Sequence, residues 1–187
     1  MQLDLSDQIV LVTGASRGIG RATAQALADA GGTVAVHYGH SEEAAAEVAA
    51  ACGPEARSFQ ADLSTVKAAD GLIDRVIDAY GRLDALVLNA GVAPSTPLDA
   101  DTADWAAGWD ETMHVNLRAP ELLSRHAVRH FQSRSPAGGR IVSIASRAAF
   151  RGDTPDYMTY AASKAGLVAL TRSLARGFGG DGVKAFA

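Results

Sequence analysis

The apolar positions of this chain follow two rhythms that take turns. Ile9-Val-Leu-Val12 is an unbroken apolar run, the pattern of a strand covered on both faces. Arg21–Ala30 then carries apolar residues at helical spacing. The same exchange repeats along the chain. Strands are predicted at Thr33–His37, Arg57–Ala61, Leu83–Leu88 and Gly139–Ala145, with a sixth beginning at Val183–Ala187. Helices are predicted at Glu42–Ala51, with Ser41 as N-cap, at Ala68–Tyr80, near Trp105, at Glu111–Arg134 and at Tyr157–Arg176. Alternating strand and helix predicts an α/β fold, a doubly wound parallel sheet with right-handed crossovers. No repeat, low-complexity tract or linker interrupts it, so residues 1–187 are expected to form a single domain.

The first strand runs into Thr13-Gly-Ala-Ser-Arg-Gly-Ile-Gly20 before the first helix starts. A glycine-rich turn between strand and helix lets a diphosphate approach backbone N–H groups, where the helix dipole adds about half a positive charge. Gly14, Ser16, Arg17, Gly18, Ile19 and Gly20 are therefore candidate cofactor contacts. In such sheets ligands lie beyond the carboxyl ends of the strands, and the polar residues there are Thr13, Asp62, Asn89 and Ser146. An acid about 20 residues past the glycines would hold a ribose 2′-hydroxyl and favour NAD. Here His37 and Tyr38 occupy that place, and no carboxylate appears before Glu42, while Arg17 could receive a 2′-phosphate. The expected cofactor is NADP(H), with His37 and Tyr38 beside its ribose.

Composition narrows the partners. With 187 residues, 48% apolar, and a formal charge of −4, the chain gives no electrostatic reason to expect nucleic acid or an acidic membrane. Met1–Asp7 carries two acids and no long apolar run, unlike a secretory leader, and no stretch approaches a membrane span. The single cysteine, Cys52, cannot form an internal disulfide, and a cytoplasmic location is expected.

Tyr160-Ala-Ala-Ser-Lys164 puts a phenol and an ammonium one turn apart on a helical face. A free phenol ionises near pH 10, and an ammonium about 4 Å away favours its anion by roughly 4 kcal/mol at an effective dielectric near 20. That is enough to bring a tyrosine into acid–base work. Ser146 ends a strand at the same edge; Ser143 shares that strand in a more central register. Tyr157 has Ala161 four residues on and lacks the partner. His126 and His130 have metal-ligand spacing but no third ligand, and read as a solvated helix face. Trp105 and Trp109 read as core or subunit contact. The segments 92–96 and 147–156 should border the substrate, with Phe150 and Arg151 as candidate specificity residues.

Taken together, Thr13–Gly20, Asp62-Leu63, Asn89-Ala-Gly91, Asn116, Ser146 and Tyr160-x-x-x-Lys164 make the sequence resemble the short-chain dehydrogenase/reductase family, and within it reductases similar to 3-oxoacyl-[acyl-carrier-protein] reductase. The resemblance implies a Rossmann fold with strand order 3-2-1-4-5-6 and hydride transfer between NADP(H) and a small-molecule carbonyl or secondary alcohol. It implies catalytic roles for Asn116, Ser146, Tyr160 and Lys164. Tyr160 would be the general acid/base, Lys164 would also hold the nicotinamide ribose, and Asn116 would anchor a relay water. It adds Leu63, Ala90 and Gly91 to Asp62 and Asn89 as cofactor contacts, and implies a homo-oligomer, a dimer or tetramer. Family members continue past strand six into a segment that covers the substrate and makes tetramer contacts, so the alternative expectation is an NADP(H)-binding protein with little turnover. Ser135–Gly139 lacks the basic residues that an acidic carrier would need.

Overall fold

A computed structural model describes residues 4–187; Met1–Leu3, part of the stretch weighed above as a leader, lie outside the described residues. Strand β1 (Ile9–Val12) is the centre of the sheet, pairing in parallel with β2 (Thr33–Tyr38) on one side and β4 (Ala85–Leu88) on the other. Beyond β2 lies β3 (Arg57–Gln60), and beyond β4 lie β5 (Gly139–Ser143) and β6 (Val183–Phe186). The six strands are all parallel in the order 3-2-1-4-5-6. Alternating side chains explain why β1 is apolar throughout. Val10 and Val12 enter one core, with Val34, Val36 and Val87, while Leu11 enters the other, with Leu86 and Ile141. Helices α1 (Gly18–Asp29) and α2 (Glu42–Ala51) contribute Ala24, Ala45, Val48 and Ala49 to the first core. The opposite core is closed by α4 (Leu72–Tyr80), α6 (Ala119–Ser133) and α8 (Met158–Phe178), through residues such as Ile73, Phe131 and Leu174.

Three departures from the expected elements are local. The predicted helix over 68–80 is two pieces, α3 (Val66–Asp70) and α4, divided at Gly71; α3 begins early because the Thr65 hydroxyl accepts the Ala68 N–H. The predicted short and long helices around 105 and 111–134 form one run, from α5 (Thr102–Met113) through a π turn at His114–Arg118 into α6. That turn's extra residue carries Asn116 inward. Ser41 precedes α2 without forming a side-chain cap. The short helix α7 (Ala148–Arg151) follows β5.

At the edge opposite the glycine turn, the buried carboxylate of Asp84 joins three elements. It accepts the Ile9 N–H at 2.8 Å, Arg82 Nε at 3.0 Å and Arg134 at 2.7 Å. His130 adds to the same junction by accepting the Leu83 N–H at 3.1 Å, and His126 instead meets Asp70 at 2.8 Å. The two imidazoles thus brace separate contacts and are half-buried, unlike the solvated face expected for them. Asp84→Ala would strand the Ile9 amide and leave two guanidinium groups facing each other. The expected loss is about 3 kcal/mol, seen as a melting temperature lower by roughly 6–12 °C. A change under about 2 °C in a thermal melt would show that the junction contributes little.

Candidate active site

The glycine turn is fixed from both sides. Thr13 Oγ1 donates to the Val87 carbonyl and accepts the N–H groups of Asn89 and Ala90, at 3.1, 2.9 and 3.1 Å. Asn89 Nδ2 donates to the carbonyls of Thr13 and Gly14, at 2.8 and 3.1 Å. Gly14 has φ +63, and a Cβ there would lie 2.9 Å from Ala90 Cα. The turn opens into α1, which has no side-chain cap and no acid in its first turn. Its N-terminal amides and the positive end of the helix dipole therefore remain available to an anion.

A cleft of about 660 Å³ lies over this turn. Its walls include Gly14, Ser16, Arg17, Gly18, Ile19, Asp62, Leu63, Asn89, Ala90 and Gly91, ten of the expected cofactor contacts. Asp62 is held by the Ser64 hydroxyl and amide, at 2.7 and 3.0 Å, and these bonds keep its carboxyl below the usual carboxylate range. Beyond β2 the wall continues as Gly39, His40 and Ser41, without a carboxylate. The two expected ribose neighbours differ in where they lie. Tyr38 is buried in the core beneath α2. His37 edges the cleft but is only 2% exposed, and both its ring nitrogens are engaged by backbone groups. Strand parity fixed which face each side chain takes, but not what that face meets.

Burial pushes His37 from 6.5 down to about 4; the Ala61 carbonyl opposes this, and Arg75 adds to it. An unfolded imidazole takes up a proton near 6.5, so this residue's contribution is complete above that pH and is lost as pH falls towards 4. The loss should reach about 2.5 kcal/mol at about pH 4.5. Denaturant unfolding at pH 7 and 4.5 should show the wild type losing that much more stability than His37→Asn; equal losses would contradict it.

A second lobe of about 250 Å³ shares Ile19, Asn89, Gly91 and Val92 with the first and ends at Ile144, Ala145, Tyr160 and Lys164. Lys164 is 4% exposed; its Nζ donates to the Ile144 carbonyl at 2.8 Å and stands 5.8 Å from the Tyr160 ring centroid. Burial pushes the Lys164 ammonium below its usual range. The Ile144 amide still pairs with Leu88 at 2.9 Å, but its carbonyl turns to Lys164, which is why β5 stops at Ser143 and not at Ala145.

Asn116 is fully buried behind this lobe. It grips both backbone groups of Val92 at 2.8 Å, and its Nδ2 donates to Ser163 Oγ at 3.1 Å. A Cβ on Gly91 would lie 3.3 Å from Asn116 Oδ1 and 3.5 Å from Lys164 Nζ, so these three residues meet at one point. Ser146 is half-buried next to the lobe wall of Ile144 and Ala145, and its Oγ accepts the Ala148 N–H at 3.1 Å. Its hydroxyl proton stays available to a ligand. Ser143 is buried and accepts from Thr171 Oγ1 at 2.8 Å. The bordering segments are tied together, since Thr96 N–H donates to the Asp156 carbonyl at 2.9 Å. Ser163 and the Ile144 carbonyl are the supports that sequence reasoning missed. A backbone acceptor leaves no mark in a sequence.

The long cleft, the uncapped helix end, the glycines and the absence of a first-turn acid fit a dinucleotide. Among the described residues no cluster of three or more potential metal ligands occurs, and no helix is long and apolar enough to cross a membrane.

Known proteins share this architecture. The chain is 40% identical over 183 residues to a hydroxynaphthalene reductase of Aspergillus fumigatus, covering 96% of this chain and 64% of that protein. It is 39% identical over 183 residues to a 3-oxoacyl-[acyl-carrier-protein] reductase of Synechocystis, covering 96% of this chain and 71% of that protein. A crystal structure of a short chain dehydrogenase from Burkholderia cenocepacia in complex with NADP superposes with a TM-score of 0.88 at 41% identity, over 97% of this chain and 72% of that one. The short chain dehydrogenase family model matches residues 8–187, and with the sheet order and glycine turn in agreement, the chain belongs to the short-chain dehydrogenase family of oxidoreductases.

Proposed function

We propose that this cleft binds NADP(H) and that the protein interconverts a small-molecule carbonyl and its secondary alcohol, with Tyr160 as general acid/base. One observation carries the reading: the cleft over the glycine turn continues into the lobe that ends at Tyr160 and Lys164. The relatives' names, both reductases, and the NADP held by the Burkholderia protein support it.

Bound NADPH supplies a hydride to the carbonyl carbon. Tyr160 gives its hydroxyl proton to the carbonyl oxygen, and Ser146 donates a hydrogen bond to the same oxygen as charge develops there. The Lys164 ammonium steadies the phenolate left behind. Lys164 has two further N–H donors for ribose hydroxyls. Asn116 holds the Val92 backbone and Ser163 in place beneath Lys164, the position from which a relayed proton would arrive.

The choice of NADP(H) rests on Arg17 and His40 and on the carboxylate-free wall from Gly39 to Ser41. Fluorescence titration should show NADPH binding more tightly than NADH, and Arg17→Ala should erase roughly tenfold of that preference, the effect of one charge-assisted hydrogen bond. A clear preference of the wild type for NADH would overturn the 2′-phosphate argument. A panel of ketones, followed by NADPH absorbance, then tests catalysis. Binding without oxidation of NADPH by any ketone would favour the binding-only alternative.

A further inference from the structure

His37 makes three bonds, two of them to the glycine turn. Its Nδ1 accepts the Gly14 N–H at 2.9 Å, and its backbone carbonyl accepts the Ala15 N–H at 2.8 Å. Its Nε2 lies 3.0 Å from the Ala61 carbonyl oxygen. A nitrogen that receives an amide N–H needs its lone pair, and one that faces a carbonyl needs a hydrogen. Both demands are met by a single neutral tautomer, Nε2–H. On its other side, Gly14 is bound through its carbonyl by Asn89. His37 therefore consumes the first two amides of the turn and leaves those from Ser16 onward, at the mouth of α1, for an anion. Its second nitrogen reaches the end of β3, next to the Asp62-Leu63 wall of the same cleft. The same-face neighbour on β2, Ala35, is apolar and fully buried in the core on that side, and filling space did not require an imidazole at 37.

We infer that His37 is a positioning residue for the dinucleotide: its neutral imidazole sets the Gly14 peptide so that the following amides converge on the diphosphate. It acts without touching the cofactor, contrary to a place beside the ribose. The assignment rests on the NADP(H) reading of the cleft and adds to it a residue that controls one part of the ligand.

The test compares NADPH with 2′-AMP, which shares the adenosine 2′-phosphate but lacks the diphosphate, in the wild type, His37→Asn, His37→Leu and His37→Gln. An asparagine oxygen sits close to the Nδ1 position and can accept the Gly14 N–H, leucine has no acceptor, and glutamine carries its acceptor one carbon further out. His37→Leu should weaken NADPH by roughly tenfold, the effect of one buried hydrogen-bond partner lost, while 2′-AMP changes by less than about threefold. His37→Asn should restore NADPH affinity to within about threefold of wild type, with His37→Gln failing to do so. Equal weakening of both ligands, or NADPH binding by His37→Leu at wild-type strength, would overturn the assignment. Should the leucine protein not fold, equal NADPH affinities of the asparagine and glutamine proteins would overturn it as well. A wild type that binds neither ligand would overturn the cofactor reading itself, and shows this before any substitution is made.

Discussion

Tyr160→Phe is expected to lower carbonyl turnover by about a thousandfold and to leave the dissociation constant of NADPH within about a factor of two. Phenylalanine keeps the ring that lines the end of the lobe and removes only the hydroxyl, the group proposed to pass a proton to the reacting oxygen. Fold damage is a poor rival explanation, because the bond that Ser163 Oγ makes to residue 160 goes to its backbone carbonyl, at 2.7 Å, and survives the change. General acid–base assistance contributes about 10²–10⁴-fold, and the expected loss lies inside that range. Steady-state rates with an active ketone, set beside NADPH fluorescence titration, separate chemistry from binding. Turnover within about tenfold of wild type would remove Tyr160 from the acid role.

The second large effect concerns Gly20, at the start of α1. A Cβ there would lie 2.3 Å from the Gly14 carbonyl oxygen, 2.5 Å from Asn89 Nδ2 and 2.9 Å from Ala15 Cα. Two of these are backbone atoms, and Asn89 is already bound to the carbonyls of Thr13 and Gly14, so none can withdraw without breaking the knot. Gly20→Ala should cost about 1–3 kcal/mol of stability, the usual range for forcing extra volume into a packed site. It should also weaken NADPH by roughly a hundredfold, because relief can only come from moving the turn off its ligand geometry. Gly18→Ala is the contrast. Nothing lies within 4 Å of its Cβ, and only its φ of +56 resists a side chain, at about 1 kcal/mol. If Gly20→Ala bound NADPH as the wild type does, the close packing of α1 on the turn would have no part in recognition.

Much of the scaffold was legible from residues alone because parallel strands buried on both faces must be apolar throughout, as β1 is. The breaks in helices were not. Gly71 lies inside the amphipathic pattern of 68–80, and the π turn at His114–Arg118 holds Asn116, which satisfies both backbone groups of Val92, a contact 24 residues distant. The same division holds at the site. Tyr160 and Lys164 stand one helical turn apart, a spacing any reader of the chain can find. The orientation of His37 depends on where the ends of β1 and β3 arrive, which only the assembled sheet decides. Tyr38 illustrates the point from the other side: its phenol enters the α2 core because β2 alternates there, whatever cofactor lies above.

The most direct measurement is a crystal structure of the protein with NADP(H) bound. The account predicts diphosphate oxygens roughly 3 Å from backbone amides between Ser16 and Ile19, and the nicotinamide end in the lobe of Tyr160 and Lys164, with Lys164 Nζ in hydrogen-bond reach of its ribose. A cofactor bound in the opposite direction, or with its nicotinamide ring away from Tyr160, would contradict it.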